Sequence, residues 1–388
     1  MDPGAAARAR VADATSALAE LLRRHLAAGR VPGAVALLDI GEPEVVAVGL
    51  AAVDGAAMPD DAIMRIQSMT KPITTVAALR LVEAGRLDLD SSVAGWLPEL
   101  AERRVLTNPG AALTETVPAS RPITLRHLLT NGSGYGMALD DSPLAQAMTA
   151  NGTAAGPAPS PFGADDWLAR LAELPLAFQP GSGWRYHHSF AVLGILLARV
   201  TQRPLGEHLA DDLFAPLGMA DTGLWVPESK LDRLPAAYRT DTDGLVETEP
   251  AGGGPYAGPP PVDVSHGELV STARDFHRFL RPLVLGSLVN DAPLISAEHL
   301  RLMTSDQVPS EHKTPKSFFP GFWDSTGWGF GVGVQIDGPQ RGRYGWSGGQ
   351  GTDFFVDPDG AIGVLLTQVE LGQQMWPLIE EFQALHLP

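Results

Sequence analysis

Strand-like patterns lie near both ends of this 388-residue sequence, and helical patterns lie between them. Near the N-terminus, the runs GAVALLDI and EVVAVGLAAVDG, separated by Gly41 and Pro43, predict a hairpin. Near the C-terminus, strands are predicted in GWGFGVGVQID, RYGWSG and TDFFVDPDGAIGVLLTQV, the last turning back at 357–360. An amphipathic helix precedes the first strand, and a helix with Pro377 near its start closes the chain. We therefore expect an α/β fold with one antiparallel sheet built from both termini and flanked by helices.

The middle of the chain has a mainly helical character. Four segments carry the helical pattern and are joined by loops rich in proline and glycine: ITLRHLLTNG, DDWLARLAELPL, SFAVLGILLARVTQ and GEHLADDLFAPLG. The pattern predicts an α/β lobe from residues 1–87 and 266–388, with a helical lobe, 88–265, inserted into it. The active site is expected in the cleft between the lobes. Long loops around 137–163 and 241–265 are candidates for the walls of that cleft.

Composition excludes several classes of function. The formal net charge is -17 and no basic run is present, which argues against a nucleic-acid partner. The absence of cysteine excludes disulfides, thiolate metal sites and cysteine nucleophiles. No stretch approaches the roughly 18 uncharged apolar residues of a membrane span, and the N-terminal segment lacks the apolar core of a signal peptide. We expect a cytoplasmic protein without a membrane partner.

One of only four lysines in the sequence, Lys71, follows Ser68 by three positions. Pro72 is tolerated only in the first turn of a helix, so a helix is predicted to begin near Ser68 and to end at Gly85. Residues three apart lie on one helix face, which places the hydroxyl beside the amine. Because lysine, unlike arginine, can lose its proton when desolvated, Lys71 is a candidate activator of a Ser68 nucleophile at the positive end of the helix.

The serine and lysine alone do not decide the chemistry, because a serine before a helix is also a common N-cap. The same spacing recurs at Ser310 and Lys313, where flanking prolines Pro309 and Pro315 prevent a helix. The sequence GWSGG around Ser347 matches the nucleophile elbow of α/β-hydrolases, but that elbow requires a following helix and a hairpin is predicted here.

Four segments of the chain resemble a known family in their order and content. They are MRIQSMTKPITT, ITLRHLLTNGSG, FQPGSGWRYHHSFAVLGILLARVTQRPLGEHLADDLFAPLGM and YGWSGGQGTDFFVDP. Together they resemble the class C β-lactamases and penicillin-binding-protein-like serine hydrolases, most closely the family VIII carboxylesterases. The resemblance implies a β-lactamase/transpeptidase-like fold and a reaction through an acyl-enzyme, without a cofactor or a metal.

The resemblance also implies roles for single residues. Ser68 matches the nucleophile, Lys71 its partner, and Tyr186 the tyrosine that takes the proton of the serine. The backbone N–H groups of Ser68 and Gly349 match the oxyanion hole. The segment Trp346-Ser347-Gly348 stands at the third motif of the family, on the strand that lines the substrate site.

Two departures from the lactamase pattern favour an uncharged ester as the substrate. His188 stands where lactamases usually carry asparagine, and Trp346 replaces the strand lysine that would bind a lactam carboxylate. Trp346 is expected to pack on an acyl or alcohol group. His188, a substrate-site candidate, either tunes Tyr186 or forms a hydrogen bond in the core, and both possibilities stay open. With His187 it makes no convincing metal site, because adjacent side chains point apart.

Other functions remain compatible with the same residues. They are a β-lactamase or D-amino peptidase or amidase, an acyltransferase that uses an acceptor other than water, and a non-catalytic penicillin-recognising module. The sequence indicates a small-molecule ester as the partner and gives no indication of the oligomeric state.

Overall fold

The computed structural model describes residues 3–289 and 292–385. Its helices are α1 Pro3–Ala27, α2 Thr70–Glu83, α3 Leu125–Leu129, α4 Pro143–Ala150, α5 Ala164–Ala172, α6 His188–Thr201, α7 Leu205–Leu209, α8 Ala215–Leu217, α9 Ala273–Leu285, α10 Ala297–Met303, α11 Phe322–Ser325 and α12 Trp376–Ala384. Its strands are β1 Gly33–Asp39, β2 Pro43–Gly49, β3 Met64–Arg65, β4 Arg104–Leu106, β5 Thr116–Pro118, β6 Ala237–Asp241, β7 Gly244–Glu249, β8 Val270–Ser271, β9 Leu288–Val289, β10 Ala292–Pro293, β11 Thr326–Trp328, β12 Gly333–Gln335, β13 Tyr344–Gly348, β14 Thr352–Val356 and β15 Ile362–Leu366.

A seven-stranded sheet joins the two ends of the chain. Its order is β11-β12-β13-β14-β15-β1-β2, and all neighbouring strands are antiparallel. The N-terminal hairpin meets the C-terminal strands where β1 pairs with β15, with Leu37 opposite Val364. This confirms the predicted antiparallel sheet built from both termini.

Both faces of the sheet are covered, as strand β1 shows. Its side chains alternate between faces, so Val35 and Leu37 join one core while Ala36 and Leu38 join the other. The first core contains residues of α2, α6 and α9, and the second contains residues of α1 and α12. Because every residue of β1 is buried, the strand is a continuous apolar run rather than a polar-apolar alternation.

The middle of the chain contains the predicted helical segments as α3, α5, α6, α7 and α8. It also contains elements that were not predicted, among them the hairpin of β4 and β5. Helix α4 forms inside the loop predicted around 137–163. Strands β6 and β7 form a hairpin, although they fall within residues 88–265, the range predicted as a helical lobe. Tyr238 of that hairpin bridges to Val369 and packs in the core under α1 and α12, so the hairpin lies against the sheet.

The segment GWGFGVGVQID, predicted as one strand, is divided into β11 and β12. Gly331 between them has φ +76, and a β-carbon there would lie 2.4 Å from Thr75 Oγ1 and 3.0 Å from the carbonyl oxygen of Lys71. Only glycine fits this close approach without strain. The interruption brings the sheet edge into contact with the start of α2.

Asp353, on β14, is fully buried and provides a test of the fold. Burial raises its pKa from 3.8 to about 7, against the opposing effect of hydrogen bonds from Ser347 and Gln383. A raised carboxyl pKa means that the folded state holds its proton more tightly, so this group stabilises the fold at low pH and its contribution is lost between about pH 4 and 7. Asp353→Asn removes that dependence.

The unfolding free energy of each protein can be measured with urea at about pH 5 and at about pH 8. Between these two pH values, we expect the wild type to lose about 3 kcal/mol relative to Asp353→Asn. The exposed Asp324 gives a matched control, since Asp324→Asn should leave the pH dependence unchanged. Parallel pH dependences for the wild type and Asp353→Asn would show that Asp353 is ionised in the fold at the lower pH.

Candidate active site

Helix α2 positions the predicted nucleophile and its partner. A 3-10 turn, Gln67–Met69, leads into α2, whose first turn contains Pro72, and Gly85 follows the helix with φ +67. The predicted start and end of this helix are thus confirmed. Ser68 lies in the 3-10 turn and is 8% exposed, and Lys71, one turn later, is 2% exposed.

Ser68 and Lys71 are in direct contact. Lys71 Nζ donates a hydrogen bond of 2.8 Å to Ser68 Oγ. It also lies 3.3 Å from Glu268 Oε1, which is 3.5 Å from Ser68 Oγ. Burial opposes the charged form of Lys71, yet interactions with Tyr186 and Glu268 raise its pKa above the ordinary value. Lys71 is therefore an ammonium group at neutral pH.

Tyr186 lies against the same lysine. Lys71 Nζ is 4.8 Å from the centre of the Tyr186 ring, within the range of a cation–π contact. The indole N–H of Trp346 donates a hydrogen bond of 2.5 Å to Tyr186 Oη. The structure thus brings Ser68, Lys71, Tyr186 and Trp346 together. Trp346, predicted as a surface for substrate, also holds the tyrosine hydroxyl.

The end of β13 is pressed against the backbone before Ser68. A β-carbon at Gly348 would lie 2.4 Å from the Ile66 carbonyl oxygen, so this position requires glycine. The next residue, Gly349, has room for a side chain. Among the hydrogen bonds of the described residues, neither the Ser68 N–H nor the Gly349 N–H has an acceptor. Both N–H groups are therefore free to bind an oxyanion, the role predicted for them.

The two competing serines are placed differently. Ser347 donates a 2.7 Å hydrogen bond to Asp353 Oδ1, and a turn and strand β14 follow it instead of a helix. Ser310 begins a 3-10 turn, and Lys313 pairs with Asp306. Neither serine has a lysine or histidine in hydrogen-bond contact among the bonds of the described residues. Ser347, predicted to line the substrate site, is partly exposed on β13.

His188 does not join this group of residues. It is fully buried at the start of α6, where its Nε2–H donates a 2.7 Å hydrogen bond to the Thr153 carbonyl oxygen. Its ring stacks on Trp167 with the centroids 6.0 Å apart. Burial lowers its pKa to about 4, so the ring is neutral. Of the two possibilities left open by the sequence, the structure favours the hydrogen bond in the core.

Two strained backbone positions flank the candidate catalytic residues. Gln67, directly before Ser68, has φ +49, and His187, directly after Tyr186, has φ +90. Positive φ is costly for residues other than glycine, and such strain persists where surrounding contacts enforce it. Burial, then the charge of Lys71, lowers the pKa of His187 well below its usual range, so this ring is also neutral.

Sequence reasoning missed Glu268 and an aromatic wall beside Trp346. Glu268 lies in SHGELVST, a segment without any pattern that separates it from other surface carboxylates. The aromatic wall consists of residues that contact Trp346 or its neighbours: Phe318, Phe322, Trp323 and Trp328. Phe322 and Trp323 lie in α11 and Phe318 lies shortly before it, in a segment for which the sequence analysis predicts no strand or helix.

Two further observations apply to the residues that the structure describes. Within 3–289 and 292–385, no cluster of three or more histidine and acidic side chains is placed to hold a metal ion. Over the same ranges, no helix combines the length and the apolar character needed to cross a membrane.

Comparisons with known proteins identify the family and the fold of the chain. The family model Beta-lactamase matches residues 18–375. Protein Rv1367c of Mycobacterium tuberculosis is 34% identical over 358 residues, which are 89% of this chain and 87% of that protein. Esterase EstB of Burkholderia gladioli is 37% identical over 182 residues, 47% of this chain and 43% of the esterase.

The solved structure of EstCE1, described as a hydrolase with promiscuous acyltransferase activity, has a TM-score of 0.76 at 25% identity. The match covers 94% of this chain and 96% of EstCE1. The predicted β-lactamase/transpeptidase-like fold is thereby confirmed. Because the family model spans most of the sequence, the chain belongs to the beta-lactamase family of serine hydrolases.

Proposed function

We propose that the protein is a serine carboxylesterase that cleaves small, uncharged carboxylic esters through an acyl-enzyme on Ser68. The observation that carries the proposal is the 2.8 Å contact between Lys71 Nζ and Ser68 Oγ, with Tyr186 held beside the lysine. A nucleophile with a group beside it that can carry its proton is the arrangement that covalent catalysis of acyl transfer uses. The similarity to esterase EstB and to EstCE1 supports the same class of reaction.

The reaction can be written with each residue in a stated role. Ser68 Oγ attacks the ester carbonyl, and its proton passes to Tyr186, which acts as the phenolate. The phenol then delivers that proton to the alcohol oxygen as the ester C–O bond breaks. The ammonium of Lys71 stabilises negative charge on both oxygens as the proton moves. The N–H groups of Ser68 and Gly349 hold the oxyanion of the tetrahedral intermediate. Water then attacks the acyl-enzyme by the same steps in reverse.

The walls of the site support a neutral substrate. Trp346 stands at the strand position where a lactamase would place a lysine. The centroid of its ring lies 4.6 Å from that of Trp328 and 6.1 Å from that of Phe318. An aromatic surface of this kind contributes apolar area to an acyl or alcohol group and offers no cation to a carboxylate. We infer that the site selects uncharged esters over penicillins.

Acyl transfer to an alcohol is the second candidate function. The observation that favours it is the match to EstCE1 along nearly the whole chain, since that protein is described as a hydrolase with promiscuous acyltransferase activity. The two outcomes share the acyl-enzyme and differ only in the acceptor. A competing alcohol added to an ester assay separates them, because transfer yields a new ester and hydrolysis yields only the acid.

The first prediction concerns the nucleophile. A fluorophosphonate reagent should attach one equivalent of label to the protein, and peptide mass mapping should place it on Ser68, because this hydroxyl alone among the three candidates contacts a lysine. Ser68→Ala should abolish the label. Label on Ser347 or Ser310 instead would overturn the assignment.

The second prediction concerns the proton carrier. Tyr186→Phe should lower kcat for an activated ester by at least about a hundredfold, the usual loss when acid or base help is removed. The ring still packs, so the fold should be retained, as checked by circular dichroism. Tyr344→Phe, which removes the hydroxyl of another buried tyrosine, should keep near-wild-type turnover. Near-native turnover by Tyr186→Phe would remove the tyrosine from the mechanism.

The third prediction concerns the substrate. A short-chain nitrophenyl ester should be hydrolysed with a higher kcat/KM than a chromogenic cephalosporin under one set of conditions. A missing charge-assisted hydrogen bond to the lactam carboxylate lowers kcat/KM about ten- to a hundredfold, without comparable harm to a neutral ester. An equal or greater kcat/KM for the cephalosporin would replace the esterase proposal with the lactamase alternative.

A further inference from the structure

The carboxylate of Glu268 faces the reacting residues, although the mechanism above gives it no role. Its Oε1 lies 3.3 Å from Lys71 Nζ and 3.5 Å from Ser68 Oγ. The Glu268 side chain is 20% exposed, while that of Lys71 is 3% exposed. The carboxylate therefore stands at the boundary between solvent and the buried lysine.

The backbone beside Glu268 is tied to the turn that carries Ser68. The N–H of Leu269 donates a 2.8 Å hydrogen bond to Thr70 Oγ1, and its carbonyl oxygen accepts one of 3.0 Å from the N–H of Ile66. Strand β8, which follows, pairs with β3, which precedes the turn. These bonds fix the position of Glu268 relative to Lys71 independently of substrate.

Several other titratable groups lie near Lys71, and they differ from Glu268 in charge. His187 and His188, at the start of α6, are neutral because burial lowers the pKa of each ring and the charge of Lys71 adds to that effect. Tyr186 presents its ring to the ammonium. Within the described residues, Glu268 is the carboxylate that forms an ion pair with Lys71.

A small cavity of about 20 Å³ adjoins this ion pair. Its lining includes Lys71, Glu268, His187 and His266, and a volume of this size has room for one water molecule. The ring of Phe190 also lies beside the lysine, with its centre 5.8 Å from Nζ, and the Lys71 side chain is almost fully buried. In such surroundings an unpaired ammonium group would readily lose its proton.

We propose that Glu268 is a positioning residue that holds Lys71 against Ser68 and keeps it in the ammonium form, so that Tyr186 and not Lys71 takes the proton of the serine. This inference rests on the proposed function. It adds Glu268 to the residues of the site and makes the lysine a fixed cation.

The test is the pH dependence of two reactions in Glu268→Gln, a variant that keeps the shape of the side chain and removes its charge. Without the carboxylate, Tyr186 alone opposes the effect of burial, so the pKa of Lys71 falls and the ammonium is lost at lower pH. An opposite charge at this distance shifts a pKa by about one to three units. The alkaline limb of kcat/KM for an activated ester should therefore move down by about one to three pH units.

Three comparisons make the result specific. KM should change little, since Glu268 acts through Lys71. Glu268→Asp, which keeps the charge farther away, should give an alkaline limb between those of the wild type and Glu268→Gln. Glu228→Gln, which removes one carboxylate from the exposed surface, should leave the profile unchanged.

Different outcomes overturn the inference. An unchanged limb would show that Glu268 does not control Lys71, and an equal loss at every pH would indicate that Glu268 itself takes the serine proton. A gain of activity near pH 7 in Glu268→Gln would indicate that neutral Lys71 is the base. A change confined to KM would assign the carboxylate to substrate binding.

The rate of fluorophosphonate labelling of Ser68, measured by intact mass across the same pH range, provides the second reaction. It requires no ester turnover. If the reagent labels Ser68 in the wild type but the protein hydrolyses no ester, only the proposed substrate class is contradicted. If Ser68 is labelled in the wild type and the labelling rate of Glu268→Gln depends on pH in the same way, only the inference about Glu268 fails.

Discussion

The burial of one positive charge, on Lys71, sets the arrangement of the rest of the site. A desolvated ammonium group is costly unless other groups pair with it and accept its hydrogen bonds. Here Ser68 accepts a hydrogen bond from it, Glu268 forms an ion pair with it, and the ring of Tyr186 lies over it. Ser68 lies in the turn that leads into α2, whereas Glu268 and Tyr186 come from distant segments of the chain. The fold must therefore bring both distant segments to α2 before the charge is tolerated.

The sheet supplies the opposite side of the site through the end of β13. Gly348 allows this strand to approach the backbone at Ile66, and Trp346 of the same strand donates its indole N–H to Tyr186. One strand thus supports both the turn of the nucleophile and the hydroxyl of the tyrosine. The strained backbone at Gln67 and His187 fits the same account, because close contacts on both sides enforce these positive φ values.

Two patterns in the sequence each had two physical explanations, and contacts with distant segments distinguish between them. The run GWGFGVGVQID has the composition of one strand, but contact with α2 forces a turn at Gly331. His188 stands where the family carries a polar active-site residue, but its ring turns into the core and bonds to Thr153. Local sequence describes the residues that flank such positions and carries no information about the distant segment that contacts them.

The sequence by itself indicated the strands of the seven-stranded sheet and most of the helices, and it placed Ser68 beside Lys71. These features depend on spacing along the chain, which proline, glycine and apolar periodicity record directly. Tertiary structure alone decided which distant groups meet the lysine. Glu268 is 197 positions from Lys71, and Trp346 is 160 positions from Tyr186. Contacts over such separations depend on how sheet and helices pack around a shared core, and no local pattern of residues encodes that packing.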